Sequence, residues 1–138
     1  MPDDPIQIKL CAPERSPVKL AVSEAVLPGK TGVFTVLPGH TPCLTELTPG
    51  VVLTYDANEQ VDHYAVTDGF AEVRDNRVII LATAFEHRAE IDPERAEAAR
   101  KRAEERLASA HPQVDTARAT AALHRALARI RAHNAEIV

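Results

Sequence analysis

The stretch RVIILATAFEHRAEIDPERAEAARKRAEERL, Arg77–Leu107, changes its vocabulary midway. Up to about Ala84 it is rich in β-branched and aliphatic residues, which suit a pleated strand. From about Ala89 it is built from Ala, Glu, Arg and Leu, the strong helix formers. Asp92 can accept the free amide hydrogens of a first helical turn. Pro93 fits the next position, where a missing N–H costs nothing. A helix is therefore predicted from here to Ala110. The segment HPQVDT then interrupts, and Asp115 or Thr116 is placed to cap a second helix running towards the C-terminus. The two helices make an αα-hairpin.

Upstream of the switch the reading is all strand. IQIKL alternates apolar and polar residues, as does part of VDHYAVTDGFAEV, and the runs GVFTV, GVVLTY and RVIILAT are separated by Pro, Gly, Asn and Asp. AEVRDNRVIILA reads as a β-hairpin, with Asp75-Asn76 tolerating the tight primed turn. Short strands at this spacing predict a sandwich or flattened barrel of antiparallel strands. Glycines 29, 32, 39, 50 and 69 all lie here, and turn geometry with positive φ is their expected work. They form no GxxxxGK[ST] phosphate loop. The expected division is a β-sandwich over 1–88 and a helical hairpin over 89–138.

Composition narrows the function. A 138-residue chain suits one domain, or a small domain with an appendage. Its formal net charge of -4 argues against a protein that grips nucleic acid, and the scarcity of Phe, Tyr and Trp removes base-stacking platforms. Cys11 and Cys43 match no CxxC spacing, so two free thiols in a reducing cytosol are expected. MPDDPIQIKL lacks the charged-then-apolar order of a secretory signal, and no apolar run nears the ~20 residues of a membrane span. A soluble protein that meets a membrane only through partners is expected.

The helices carry further patterning. Ala96, Ala99, Ala103, Leu107 and Ala110 recur at three- and four-residue intervals, as do Ala119, Leu123, Ala126, Leu127 and Ile130. Alanine seams permit close approach but bury little area, so the hairpin should be marginal alone and should pack against the β-domain or another subunit. Residues 1–88 hold 7 basic and 12 acidic groups, a net of -5, whereas 116–138 hold four arginines and one glutamate, a net of +3. A basic arm on an acidic protein suits an acidic surface or a phosphate. Arg95, Arg102 and Arg106 share one helical face, and Arg118, Arg125 and Arg129 fall within about 40° of one another on the second. Glu97 is spaced to pair with Lys101, and Glu94 favours the helix N-terminus.

The succession LPGKTGVFTVLPGHTPCLTELTPG, YAVTDGFAEV and VIILATAFE, followed by the hairpin beginning IDPERA, closely resembles the epsilon subunit of bacterial F-type rotary ATP synthases, the equivalent of mitochondrial delta. Thr35, Cys43 and Asp68 depart from the family pattern, which commonly has glycine, leucine and glycine there. The resemblance implies a ten-stranded antiparallel β-sandwich followed by the αα-hairpin, in a non-catalytic central-stalk (rotor) subunit. The sandwich would hold the gamma subunit and touch the c-ring, coupling proton or sodium flow to ATP synthesis. The hairpin would fold on the sandwich or extend along gamma, inhibiting ATP hydrolysis at the beta (and alpha) subunits. The implied location is peripheral, at the cytoplasmic face of the bacterial inner membrane.

Some members of that family bind ATP through an Ile/Leu-Asp-x-x-Arg-Ala motif assisted by arginines. Ile91, Asp92, Arg95 and Ala96 supply the motif here, and Glu86, Arg102, Arg125 and Arg129 stand at matching positions. The resemblance thus implies a regulatory ATP and no required cofactor. An N-cap with solvated or beta-contacting arginines accounts for the same residues without a ligand. His40, in LPGHTP, has no nucleophile or second ligand at useful spacing, so neither catalysis nor metal binding is expected of it. The resemblance implies a c-ring contact there. For His63 and Asp68, on a strand and a turn, solvated or locally hydrogen-bonded roles are the default. A free-standing nucleotide- or anion-sensing module is the alternative of a different class, and an enzyme ranks third.

Overall fold

The computed structural model describes residues 4–109 and 111–136. Eight strands come first: β1 (Ile6–Cys11), β2 (Val18–Val22), β3 (Glu24–Gly29), β4 (Gly32–Val36), β5 (Cys43–Leu47), β6 (Gly50–Tyr55), β7 (Val61–Arg74) and β8 (Arg77–His87). A 3-10 turn, η1 (Arg88–Glu90), leads into α1 (Pro93–Ala108) and α2 (Thr116–His133).

Two strands are long because each serves both layers. β7 pairs with β6 along Val61–Val66 and with β5 along Gly69–Val73. Between these legs the backbone turns through positive φ at Asp68 (31°) and Gly69 (133°). The break also changes which side chains face inward. Tyr64 and Val66 lie in the core before it, but Ala71 and Val73 after it; on β8, Val78, Ile80 and Ala82 give way to Phe85. A one-residue slip in a period of two moves every following side chain to the other face. That slip is why the sequence alternates only in part. Counted by leg, β7 and β8 bring the total to ten, as the resemblance implies. Hydrogen bonding is antiparallel throughout except for β1, which lies parallel to β8. The Asp75-Asn76 turn joins β7 and β8 with both residues at positive φ, 50° and 59°. Of the five glycines, only Gly32, Gly39 and Gly69 have positive φ; Gly50 is needed because a Cβ there would lie 2.6 Å from that of Pro28.

The main core fills the space between the layers, with Ile6, Ile8, Leu10, Leu27, Val52 and Ile80 fully buried. A second cluster forms beneath the hairpin, from Val51, Leu53, Ala65 and Ile91 with Ala128 and Ala132 of α2. Strand β6 is thus covered on both faces, by the core and by α2, which explains its unbroken apolar run.

Both helices start as the sequence indicates. Asp92 accepts from the amides of Glu94 (3.0 Å) and Arg95 (3.2 Å), and Asp115, not Thr116, caps α2 through the Arg118 amide (3.0 Å). α1 ends at Ala108 with Ser109 as its cap; the expected end, Ala110, lies outside the described residues. The seam is narrower than the periodicity suggests. Ala96 and Ala103 of α1 are buried, with Ala119 and Ala126 of α2, whereas Leu107, Leu123, Leu127 and Ile130 stay partly exposed. α2 has a second buried stripe, Ala128 and Ala132, against the sheet, and it is α2 that contacts β6 and β7. Glu97 pairs with Arg100, which also holds Glu104 at 2.6 Å; Lys101 is not its partner, because the three-residue spacing captures the carboxylate first. Among the described residues no helix is long and apolar enough to cross a membrane.

Candidate functional site

Where β8 ends and α1 begins, the chain folds around a cleft of about 430 Å3 lined by Glu86, Glu90, Asp92, Arg95, Ala96, Ala99, Arg102 and Arg129. Four elements build it. Glu86 comes from the end of β8, Glu90 from η1, and Arg129 from α2. Asp92 caps α1, and Arg95, Ala96, Ala99 and Arg102 lie on its first three turns, spaced to share one face. The positive end of the α1 dipole adds to the arginine charge here.

Formal charge in the cleft is balanced, but its distribution is not. Glu86 Oε1 accepts from Arg129 Nε at 2.7 Å, tying the end of the sandwich to α2. Glu90 Oε1 accepts the His87 amide at 3.0 Å and meets Arg15 at 3.4 Å. The His87 backbone bond, helped by Arg15, holds the Glu90 carboxyl below the usual carboxylate range. Asp92 is occupied as the α1 cap. All three carboxylates are therefore engaged. Arg95 and Arg102, both exposed, have no carboxylate partner among the described residues. The cleft presents two uncommitted guanidiniums beside an acidic wall that is already satisfied, an arrangement that can receive an anion without first breaking an ion pair.

The residues expected at a nucleotide site are distributed as follows. Glu86, Asp92, Arg95, Ala96, Arg102 and Arg129 line the one cleft. Ile91 does not; it is 5% exposed and anchors the cluster under α2. Arg125, half-buried one turn before Arg129, is also outside the lining. The two arginine stripes divide, since Arg106 and Arg118 border a separate hollow at the hairpin turn with Gln113 and Asp115. Glu90 and Arg15 escaped the sequence reading because their contact spans 75 residues, although Glu90 stands three residues after His87 in a capping box. Arg15 also lies over the Phe85 ring, 3.9 Å from its centroid, and donates to the Phe85 carbonyl at 2.6 Å.

His40 sits in the loop after β4, where its Nδ1 meets the Thr41 carbonyl at 2.7 Å. That loop is fastened to the β7–β8 turn, because the Gly39 amide donates to Asn76 Oδ1 at 2.7 Å. His63 differs from expectation. It is 5% exposed, and neither ring nitrogen has a hydrogen-bond partner among the described residues. Among the described residues no cluster of His, Cys, Asp or Glu is arranged to hold a metal ion, and Cys11 and Cys43 are unpaired.

Residues 5–88 match the family model of the ATP synthase delta/epsilon chain β-sandwich domain, and residues 89–134 match that of its long α-helix domain. The ATP synthase epsilon chain of Nitratidesulfovibrio vulgaris (strain DP4) is 50% identical over 120 residues, covering 84% of this chain and 89% of the relative. That of Moorella thermoacetica is 41% identical over 130 residues, covering 94% and 97%. Among solved structures, a chain of the Euglena gracilis mitochondrial ATP synthase (OSCP/F1/c-ring) shares the fold at a TM-score of 0.79 and 24% identity, covering 90% of this chain and 78% of that one. With two adjoining models matched in order, the chain belongs to the ATP synthase delta/epsilon chain family.

Proposed function

We propose that this chain is a central-stalk subunit of a rotary ATP synthase whose helical hairpin is a movable regulator, and that the cleft between β8, α1 and α2 takes the phosphates of ATP. Residues 1–88 and 89–138 are the working units of that reading. The sandwich binds the gamma subunit and, through the His40 loop, the c-ring. The hairpin meets the catalytic subunits when it leaves the sandwich. The complex sits peripherally at the cytoplasmic face of the membrane, and no cofactor is required for folding or assembly.

One observation carries the nucleotide reading: Arg95 and Arg102 face a cleft whose three carboxylates are all engaged elsewhere. Guanidiniums in that state match phosphate oxygens in charge and fork geometry. The two uses of the hairpin exclude each other. Extension breaks the Arg129–Glu86 pair and dismantles the cleft, so ATP would favour the folded form by binding it alone. Arg125 and Arg129 would then be available to acidic segments of the beta subunit.

Calorimetric titration of ATP into the isolated chain should give one site. Mixing with gamma should give a stable complex whether or not ATP is present. No heat at millimolar ATP would refute the nucleotide site and leave the rotor reading standing. A chain that bound ATP but never gamma would be a free-standing sensor instead.

A further inference from the structure

β7 places His63 and Ala65 on the face covered by α2. His63 is 5% exposed, and both its ring nitrogens are buried without a hydrogen-bond partner among the described residues. Buried polar groups are nearly always paired, so a histidine left bare beneath a detachable helix needs an account. It contributes nothing to the cleft described above.

We propose that His63 is a proton-operated release for the helical hairpin: a neutral ring is compatible with α2 lying over it, and a protonated ring is not. An imidazolium carries two N–H donors, and among the described residues only the Ala135 backbone approaches as an acceptor, outside hydrogen-bond geometry. Its charge would also be buried, which is costly unless it is paired. Detachment of α2 exposes the ring to water and removes both penalties.

The surroundings agree with this reading. On β7 itself the charged neighbour is Asp62, whose carboxylate already meets His87 Nε2 of β8 at 2.7 Å. Arg88 of η1 adds positive charge, and so does His87 when protonated. Arg88 is held nearby, since its Nη2 donates to the His133 carbonyl at 3.0 Å. α2 brings the basic residues of its last turn, Arg131 and His133, and β6 brings only Tyr55. Among the charges that act on the ring, Arg88 and a protonated His87 are set against Asp62. Burial holds the His63 ring below the ordinary imidazole value, helped by Arg88 and His87; Asp62 and the Ala135 backbone pull the other way.

The sign follows from linkage. The docked form binds the proton less readily than the released form, so docking is complete above the free imidazole pKa of ~6.5 and weakens as pH falls below it. The loss ends once the medium passes the lowered value of the docked ring. The proposal does not depend on ATP binding. It concerns only whether α2 covers β7.

The test is amide protection of α2 in the isolated full chain from pH 7.5 to 5.0, corrected for the intrinsic pH dependence of exchange. Wild-type protection should fall below pH ~6.5, by up to about tenfold per unit, while the β-sandwich core stays protected. His63→Phe, an apolar ring, and His63→Gln, a neutral polar group, should both flatten the profile. Either variant suffices if the other fails to fold. A wild-type pH dependence surviving in a folded variant would overturn the proposal. So would a His63 ring resonance titrating at the free-imidazole value while α2 stays protected.

Discussion

Gly69→Ala should destabilise the chain by about 3–5 kcal/mol, the range reserved for a severe backbone clash. Gly69 sits at the break where β7 passes from one layer to the other, with φ at 133°. A Cβ there would lie 2.0 Å from the Leu81 carbonyl oxygen and 2.8 Å from the Ala82 Cα. Both atoms belong to β8 backbone, hydrogen-bonded on one side to β7 and on the other to β1, so neither can move without breaking ladder bonds. Gly32 supplies the control. Its φ is 144° but a Cβ would meet nothing within 4 Å, so Gly32→Ala isolates conformational strain and should cost about 1–3 kcal/mol. With a urea slope of about 2 kcal/mol per M, Gly69→Ala should lower the midpoint by roughly 2 M. A loss no greater than that of Gly32→Ala would mean that the strand break accommodates a side chain.

The second large effect concerns ligand affinity. Arg95→Ala and Arg102→Ala should each weaken ATP binding about 10- to 100-fold, the equivalent of one charge-assisted hydrogen bond of roughly 1.5–3 kcal/mol. Both side chains are exposed and without carboxylate partners among the described residues, so neither change should move the unfolding midpoint beyond about 0.5 kcal/mol. Lysine at either position keeps the charge but loses the fork, and should recover only part of the affinity. Arg129→Ala behaves differently. It removes the partner of Glu86, a half-buried carboxylate, and so loosens the docking of α2 along with the site. Equilibrium titration beside hydrogen exchange separates the two behaviours. Unchanged affinity in both the Arg95 and Arg102 variants would show that phosphates do not bind in this cleft.

Local chemistry was the legible part of the sequence. Asp92 and Asp115 are short side chains before helical runs, and Asp75-Asn76 is a pair that accepts left-handed angles; each signal lies within a few residues of its effect. The six cleft residues Glu86, Asp92, Arg95, Ala96, Arg102 and Arg129 were named together by family resemblance, with helical spacing grouping the arginines only within each helix. What could not be read depends on partners distant in the chain. The parallel docking of β1 on β8, the slip of inward parity at Asp68, and the contact of Arg15 with Glu90 leave no periodic trace. Arg118 and Arg106 share faces with the cleft arginines, yet they sit at the far end of the hairpin, where the helices present them to another hollow. His63 was misjudged for the same reason. A histidine in a polar-looking run such as VDHY gives no hint that a helix beginning 53 residues later lies over it.

The double covering of β6 has a consequence for solubility. Were α2 to lift away as proposed, Val51, Leu53 and Ala65 would lose their lid and become a patch open to water. Such patches invite self-association, most dangerously where a strand also offers unpaired backbone groups. β6 offers few, because it is bonded to β7 along its whole length and to β3 from Leu53 to Tyr55. The uncovered surface would stick through side chains more readily than it could recruit another strand. If the hairpin is the movable regulator proposed above, each opening bares this face while most of the β6 backbone stays paired, which limits the seeding of fibrils.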